Sequence, residues 1–179
     1  MKKEISLKKF PLFGDGFNPK KYHIMGDAFI HHKLLVSTEN GFGIVTEDGK
    51  EIVPCIYSFG EDKSDGLVYK FLNTDNNTCH YFDSTGKKLF RNVKIVEGSE
   101  ADNDVFAVSI AKDSMALQGD WKIVNAKEEI ITDLKDKTIG SIREIHNGMA
   151  FAITNTDEIN KDNQKLGIID LKGNILIKK

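Results

Sequence analysis

Cysteine and histidine are the residue types in this chain that most often bind metals or act in catalysis, and their spacing argues against both roles here. There are two cysteines, Cys55 and Cys79, and five histidines. His31 and His32 are adjacent, so on a strand they point to opposite faces and cannot bind one metal ion together. His80 stands beside Cys79 with the same difficulty. No Cys-x-x-Cys or His-x-x-x-His occurs, so the sequence predicts no metal site and no cofactor.

Three other patterns that could support binding or catalysis are also incomplete or absent. Asn73, Asp75 and Asn77 resemble the opening of a calcium loop, but Thr78 stands where glycine is needed and Ser84 where the bidentate glutamate belongs. Phosphate-binding glycine loops are absent. A cysteine nucleophile needs a neighbouring base and an activating environment, and no acid, base and nucleophile converge in the sequence. We therefore predict no catalytic residues and a protein that is not an enzyme.

Charge and composition narrow the classes of partner. The 179 residues include 25 basic and 27 acidic ones, for a net charge of -2, so no electrostatic attraction to nucleic acid or anionic membrane is expected. Charged residues interrupt the first twenty positions, so no apolar core of an export signal forms. No apolar run approaches the ~18 residues of a spanning helix. These features predict a cytoplasmic protein with reduced cysteines.

The elements that would have to position any site are four copies of one motif. Residues 42–53 align without a gap with residues 166–177, at an offset of 124. Residues 79–90 and 121–131 match the same pattern, which makes the successive spacings 37, 42 and 45 residues. Self-similarity at such a period is the signature of a repeat architecture.

Each copy reads as a β-hairpin. In the second and fourth copies a short apolar strand runs into Asp83 or Asp170, two turn residues and Gly, and a second apolar strand follows. The Asp or Asn side chain can accept a hydrogen bond from the backbone two residues on, and Gly supplies the left-handed conformation of the turn. We therefore predict positive φ at Gly49, Gly86 and Gly173. The third copy has Glu128 at this position, so either its turn differs in length or Glu128 itself adopts positive φ.

A further apolar strand precedes each hairpin, at residues 34–37, 67–70, 105–108 and 149–153. The chain is therefore predicted to be all-β, with four tandem three-stranded repeats. Apolar residues on both faces of the strands, as at Ile44 and Val45, indicate sheets that are covered on both sides.

The N-terminal segment bears on how the repeats are arranged. Pro19-Lys20-Lys21-Tyr22 repeats the Pro-x-x-Tyr spacing that closes the first hairpin at Pro54 and Tyr57, whereas nothing follows the second strand of the fourth copy. We predict that this segment completes the last repeat. The repeats would then form a propeller-like ring, sealed by both ends of the chain, or a stacked β-sheet solenoid; the sequence leaves both open.

These residues resemble the WG-repeat family of bacterial proteins. Phe42-Gly43, Trp121-Lys122 and Leu166-Gly167 occupy the place of the family's Trp-Gly pair, followed by an Ile/Val-rich strand, a turn and Gly-Lys or a close match. The resemblance covers residues 19–179, divided into copies at 19–57, 58–94, 95–145 and 146–179 of a single domain spanning residues 1–179. It implies a repeat module without a common activity, and it transfers no catalytic residue. We interpret the signature aromatics as core residues, and Cys79, which takes the aromatic's place in the second copy, as a buried, inert thiol.

The loops that follow the first strand of each copy lengthen along the chain, and repeat proteins often bind through such loops. In the third loop, residues 114–117 either tuck back on the core or contact a partner. We predict a non-catalytic module that binds a protein partner through these loops. The alternative is a cytoplasmic immunity protein that neutralises a bacterial toxin, and an enzyme of unknown class is a third hypothesis. The candidate binding residues are Asn73, Asp75, Met115, Leu117, Asn155 and Asp157.

Overall fold

A computed structural model describes residues 17–24, 30–62, 64, 66–135, 137, 139–155 and 164–178. In these ranges the regular structure consists of strands, which form four antiparallel sheets of four strands each. The described residues include no helix that is long and apolar enough to cross a membrane.

The strands run in chain order within every sheet. The first sheet contains β1 (His23–Ile24), β2 (Lys33–Thr38), β3 (Gly41–Thr46) and β4 (Glu51–Tyr57). The second contains β5 (Phe59–Asp62), β6 (Val68–Asn73), β7 (Thr78–Asp83) and β8 (Lys88–Leu89). The third contains β9 (Ile95–Gly98), β10 (Val105–Ala111), β11 (Gly119–Asn125) and β12 (Ile130–Asp133). The fourth contains β13 (Ile139–His146), β14 (Met149–Asn155), β15 (Gln164–Asp170) and β16 (Ile175–Lys178).

The predicted all-β class and the four units are confirmed, but each unit has four strands and not three. The strand that the sequence did not reveal is the first of each sheet, as in β5 and β9. These two segments are only four residues long, and each includes glycine and acidic residues. Their extended conformation is stabilised by pairing with the next strand, for example Gly60 with Phe71, so apolar periodicity does not mark them. In the fourth sheet, β13 lies before the expected start of the copy at residue 146 and pairs with β14.

The predicted turn chemistry is confirmed. Gly49, Gly86 and Gly173 have φ of 82°, 84° and 77°. Asp83 Oδ1 accepts hydrogen bonds from the backbone N–H groups of Thr85 at 2.8 Å and Lys87 at 3.0 Å. An Asp side chain that caps the turn in this way fixes the register of the following strand.

The third copy keeps the same turn and places a non-glycine residue in the strained conformation. Glu128 has a φ of 68°, which is the second of the two alternatives that the sequence left open. Its carboxylate accepts hydrogen bonds from Lys87 Nζ at 3.0 Å and from the backbone N–H of Phe90 at 3.2 Å. Lys87 and Phe90 flank β8 in the second sheet, and Glu128 lies between β11 and β12 of the third. The strained residue therefore links these two sheets through its side chain.

Sheets pack face to face on their neighbours in the chain. We call the face that points to the next sheet the forward face and the opposite one the back face. The buried cluster between the first two sheets contains Ile44, Val53, Tyr57, Tyr69, Phe71 and Phe82. Tyr81, Leu89, Phe106, Val108 and Val124 are buried between the second and third sheets. Ala107, Trp121, Ile123, Ala150 and Ile169 are buried between the third and fourth. The second and third sheets are thus covered on both faces, as predicted.

The predicted completion of the last repeat by Pro19–Tyr22 is wrong. Phe17 and Tyr22 pack on the back face of the first sheet, in a cluster with Leu34, Val36, Val45 and Cys55. The Tyr22 hydroxyl donates to Glu51 Oε1 at 3.1 Å, and Lys21 Nζ donates to the same oxygen at 2.8 Å. The segment therefore belongs to the first sheet, because the ring of Tyr22 is buried there while its hydroxyl is satisfied by β4. The fourth sheet obtains its fourth strand from β13.

A histidine, His80, lies between the first and second sheets. The ring of His80 makes an edge contact with Tyr57, with centroids 5.4 Å apart, and its ring nitrogens lie 3.1 Å from Thr78 Oγ1 and 3.4 Å from the Tyr57 hydroxyl. Burial lowers the pKa of His80 to about 4, and the charge of Lys88 contributes in the same direction. The ring is therefore neutral at neutral pH.

Replacing Gly86 by alanine tests the turn geometry. A Cβ at this position would lie 2.5 Å from the carbonyl oxygen of Ile52 in the first sheet, in addition to the strain of positive φ. We expect Gly86→Ala to lower the free energy of unfolding by about 2–3 kcal/mol. Gly148→Ala is the matched control, because its φ of 73° is similar and nothing lies within 4 Å of the added Cβ. Gly148→Ala should lower the free energy of unfolding, measured by urea denaturation, by about 1 kcal/mol. Equal losses in the two variants would contradict the close approach of Gly86 to Ile52.

His80 should make the protein less stable at mildly acidic pH. Its pKa in the folded state is about 4, against 6.5 for the ordinary group, so between these values the unfolded chain binds a proton that the folded chain does not. The stability present above pH 6.5 is therefore lost as the pH falls towards 4. Discounted for partial exposure, we expect a loss of roughly 1 kcal/mol. Urea denaturation at pH 7 and pH 4.5 should show a smaller pH effect in His80→Gln than in the wild type.

Candidate functional site: a cleft beside the third loop

The loops predicted to bind a partner connect the second and third strands of each sheet. Their described parts are the turn at 39–40, the turn at 74–77 and the loop at 112–118. Two of these loops border a cleft on the protein surface, one through Asn77 and the other through Leu117. Packing of successive sheets therefore brings together loops that lie about forty residues apart in the chain.

The cleft has a volume of about 390 Å³ and involves the second, third and fourth sheets. Its lining residues are Asn77, Val96, Glu97, Ser109, Leu117, Gln118, Gly119, Trp121, Ile139 and Gly140. Hydrogen bonds across the third and fourth sheets shape it: Trp121 Nε1 donates to the carbonyl oxygen of Gly140 at 3.2 Å, and Ser141 Oγ donates to Glu97 Oε1 at 2.8 Å. These two bonds hold β13 against the third sheet.

Loop 112–118 is held in one conformation by its own hydrogen bonds. Asp113 Oδ1 accepts from the backbone N–H groups of Met115 and Ala116, both at 2.8 Å. Lys94 Nζ donates to the carbonyl oxygens of Ser114 at 3.0 Å and Ala116 at 3.1 Å. With the backbone fixed in this way, the side chains of Met115 and Leu117 are directed to solvent.

Met115 is 87% exposed and Leu117 is 75% exposed. Of the two alternatives for this loop, the one in which it tucks back on the core is therefore wrong. Leu117 also lines the cleft. Exposed large apolar side chains next to a concavity are a feature of surfaces that bind other molecules.

The other candidate residues are more dispersed. Asn73 ends β6, and its Oδ1 accepts from the backbone N–H of Asp75 at 3.0 Å, so this pair shapes the turn that ends at Asn77. Asn155 is the last residue of β14, and Asp157 lies outside the described residues. Leu117 is thus the candidate that the structure places in the cleft itself.

Glu97, Ser109 and Trp121 contribute to the cleft without having been predicted as site residues. Trp121 is buried, as expected for a signature aromatic, and Ser109 is only 3% exposed. Ser109 pairs with Trp121 across β10 and β11. Because the rest of β10 is largely apolar, the sequence indicates a buried structural role for this serine and not a place in a binding site. The sequence carries no signal for the cleft because three sheets form it.

A larger groove of about 600 Å³ lies on the first sheet, among Lys20, Lys21, His23, Glu39, Glu51 and Cys55. Lys21 and Glu51 pair with each other at 2.8 Å, and the hydrogen bond from Lys21 keeps the pKa of Glu51 below its ordinary value. Burial raises the pKa of the Cys55 thiol to about 11, so it is protonated and a poor nucleophile.

Cys79 behaves in the same way. It is buried, as predicted, and burial raises its pKa to about 11, so the thiol is protonated at neutral pH. Among the described residues, no group of three or more His, Cys, Asp or Glu side chains lies close enough to hold a metal ion.

Comparisons with known proteins identify no family for this chain. No family model matches the chain, and no curated protein matches it. A solved structure of dihydro-heme d1 dehydrogenase NirN in complex with DHE is similar over 85% of this chain, with 11% identity and a TM-score of 0.43. KlHsv2 with loop 6CD replaced by a Gly-Ser linker is similar over 83%, with 12% identity and a TM-score of 0.31. The chain spans 36% of the first protein and 62% of the second. Both TM-scores are below 0.5, so no property of either protein is transferred.

Lys94 should control the order of loop 112–118. Lys94→Met removes both side-chain donors to the loop carbonyls while keeping most of the apolar length. We expect the backbone N–H groups of Met115 and Ala116 to exchange with solvent about tenfold faster, since two charge-assisted hydrogen bonds are lost. Lys112→Met is the control, because Lys112 makes only a longer ion pair of 3.6 Å with Asp120. Equal exchange rates in the wild type and Lys94→Met would contradict this role.

Proposed function

We propose that this chain is a non-catalytic repeat module that binds a protein partner through loop 112–118 and the adjacent cleft. The observation that carries the proposal is the exposure of Met115 and Leu117 on a loop whose backbone is held by several hydrogen bonds. A loop that is ordered before binding loses little conformational entropy when a partner docks. Methionine also adapts its shape to different apolar surfaces.

The chemistry of the cleft supports a protein segment as its ligand. The lining exposes more polar than apolar surface: Asn77, Gln118 and Glu97 provide hydrogen-bonding groups, and Leu117 and Ile139 provide the apolar part. Protein interfaces combine apolar contacts with direct hydrogen bonds, so a protein segment that carries both kinds of group fits this lining. The nearly balanced charge of the chain, at -2, gives no electrostatic support to nucleic acid as the ligand.

The arrangement of the repeats is also part of the proposal. We infer an open, curved stack of sheets, since the buried clusters join each sheet to the next one in the chain and Phe17 and Tyr22 cover the back face of the first. A closed propeller-like ring is the alternative. Membership of the WG-repeat family stays a prediction, as do a cytoplasmic location and the narrower role of an immunity protein.

The binding surface can be tested by substitution. Met115→Ser and Leu117→Ser, combined, remove the exposed apolar side chains without altering the hydrogen bonds that hold the loop. For each protein recovered with the immobilised wild-type chain from a cell extract, we expect at least tenfold lower recovery with the double variant, because the apolar anchors of an interface carry much of its affinity. Ile56→Ser is the matched control, since Ile56 is an exposed apolar residue on the first sheet, 62% accessible.

Recovery that is reduced equally by the control would indicate nonspecific adhesion of apolar surface. Recovery that is unchanged in the double variant would contradict the proposal. Thermal unfolding of each variant, compared with the wild type, establishes that the fold is retained.

A further inference from the structure

The forward face of the fourth sheet is apolar and uncovered by the described residues. Phe151, Ile168 and Ile177 lie side by side across β14, β15 and β16, and Ile153 pairs with Leu166. Phe151 is 42% exposed, Leu166 51% and Ile177 56%. Together with Gly167 they form an apolar hollow of about 210 Å³. This surface is separate from loop 112–118.

The corresponding positions of the first sheet are buried or partly buried. By the repeat offset of 124, Leu166, Ile168 and Ile177 correspond to Phe42, Ile44 and Val53. Ile44 and Val53 are fully buried against the second sheet. The residue types of the fourth sheet therefore suit packing against another apolar sheet. Large side chains exposed together in this way are costly in water and mark an interface.

Among the described residues of a second copy, one sheet face is both apolar and uncovered. The back face of its first sheet could in principle stack on the fourth sheet, but Phe17 and Tyr22 already cover it. The second and third sheets are covered on both faces. The remaining face is the forward face of the fourth sheet itself.

We propose that two copies associate through this face, related by a two-fold axis. The centre of the face consists of Phe151, Ile153, Leu166, Ile168 and Ile177, which carry no charge, and the charged neighbour Glu144 lies beside Phe151 on the edge strand β13. The apolar centres of two identical faces can therefore meet without repulsion between like charges. A two-fold contact is closed and stops at the dimer. One four-stranded sheet offers less area than a permanent interface, so the dimer is reversible and depends on concentration.

Sedimentation equilibrium over a wide concentration range tests the proposal with the full chain. The wild-type mass should rise from one chain to two and stop there. Leu166→Lys and Ile177→Lys place a charge on an exposed position of the face and should each weaken the dimer at least tenfold. Met115→Lys is the matched control: it introduces the same charge at an exposed apolar residue of the loop and should leave the dimer unchanged.

Several results would overturn the dimer. A wild-type chain that stays monomeric throughout means that the face is covered by something other than a second copy. Growth beyond two chains means head-to-tail stacking in place of a two-fold contact. Dimerisation that is weakened by Met115→Lys and unaffected by Leu166→Lys places the contact on the loop. A chain that dimerises only after residues 1–16 are removed means that this segment, and not a second copy, occupies the face. Except for the outcome that places the contact on the loop, partner recovery in the Met115 and Leu117 variants is independent of these results.

Discussion

The need of every sheet to cover two apolar faces is the constraint on which this structure depends. A four-stranded sheet with Ile44 on one side and Val45 on the other cannot exist alone in water, because each face exposes several large side chains. Stacking in chain order covers all the inner faces at once. The first and fourth sheets differ in their outer faces: Phe17 and Tyr22 cover the back face of the first sheet, while Phe151 and its neighbours are exposed on the forward face of the fourth.

Face-to-face packing also explains where binding features can form. The strands provide side chains that pack and turn, and these recur from copy to copy. Variation is concentrated where consecutive sheets meet at their edges, and there the loop at 112–118 and the edge of β13 produce a cleft. Its lining includes Trp121, whose indole N–H also anchors the fourth sheet through the carbonyl oxygen of Gly140. Trp121 thus packs between two sheets and also lines the cleft.

Strain is tolerated where it connects sheets. Glu128 adopts the left-handed conformation that glycine takes in the other copies, and its carboxylate bonds to Lys87 and to the backbone of Phe90. Glycine would relieve the backbone strain but could not make these bonds. The departure from the repeat pattern at this position thus has a tertiary cause.

The amino-acid sequence by itself determined the all-β class, the four units and the turn conformations, because apolar alternation and the Asp-x-x-Gly pattern act over a few neighbouring residues. It did not reveal the first strand of each sheet, since segments such as Phe59–Asp62 become strands through pairing and have no pattern of their own. Nor did it locate Pro19–Tyr22 correctly: a matching Pro-x-x-Tyr spacing says nothing about which sheet the segment contacts. Only the tertiary structure decided that Leu117 borders a cleft with Glu97 and Ser109, and that Leu166 is exposed where Phe42 is packed. The physical reason is that exposure depends on what lies opposite a residue, and in this chain the opposite surface comes from another sheet.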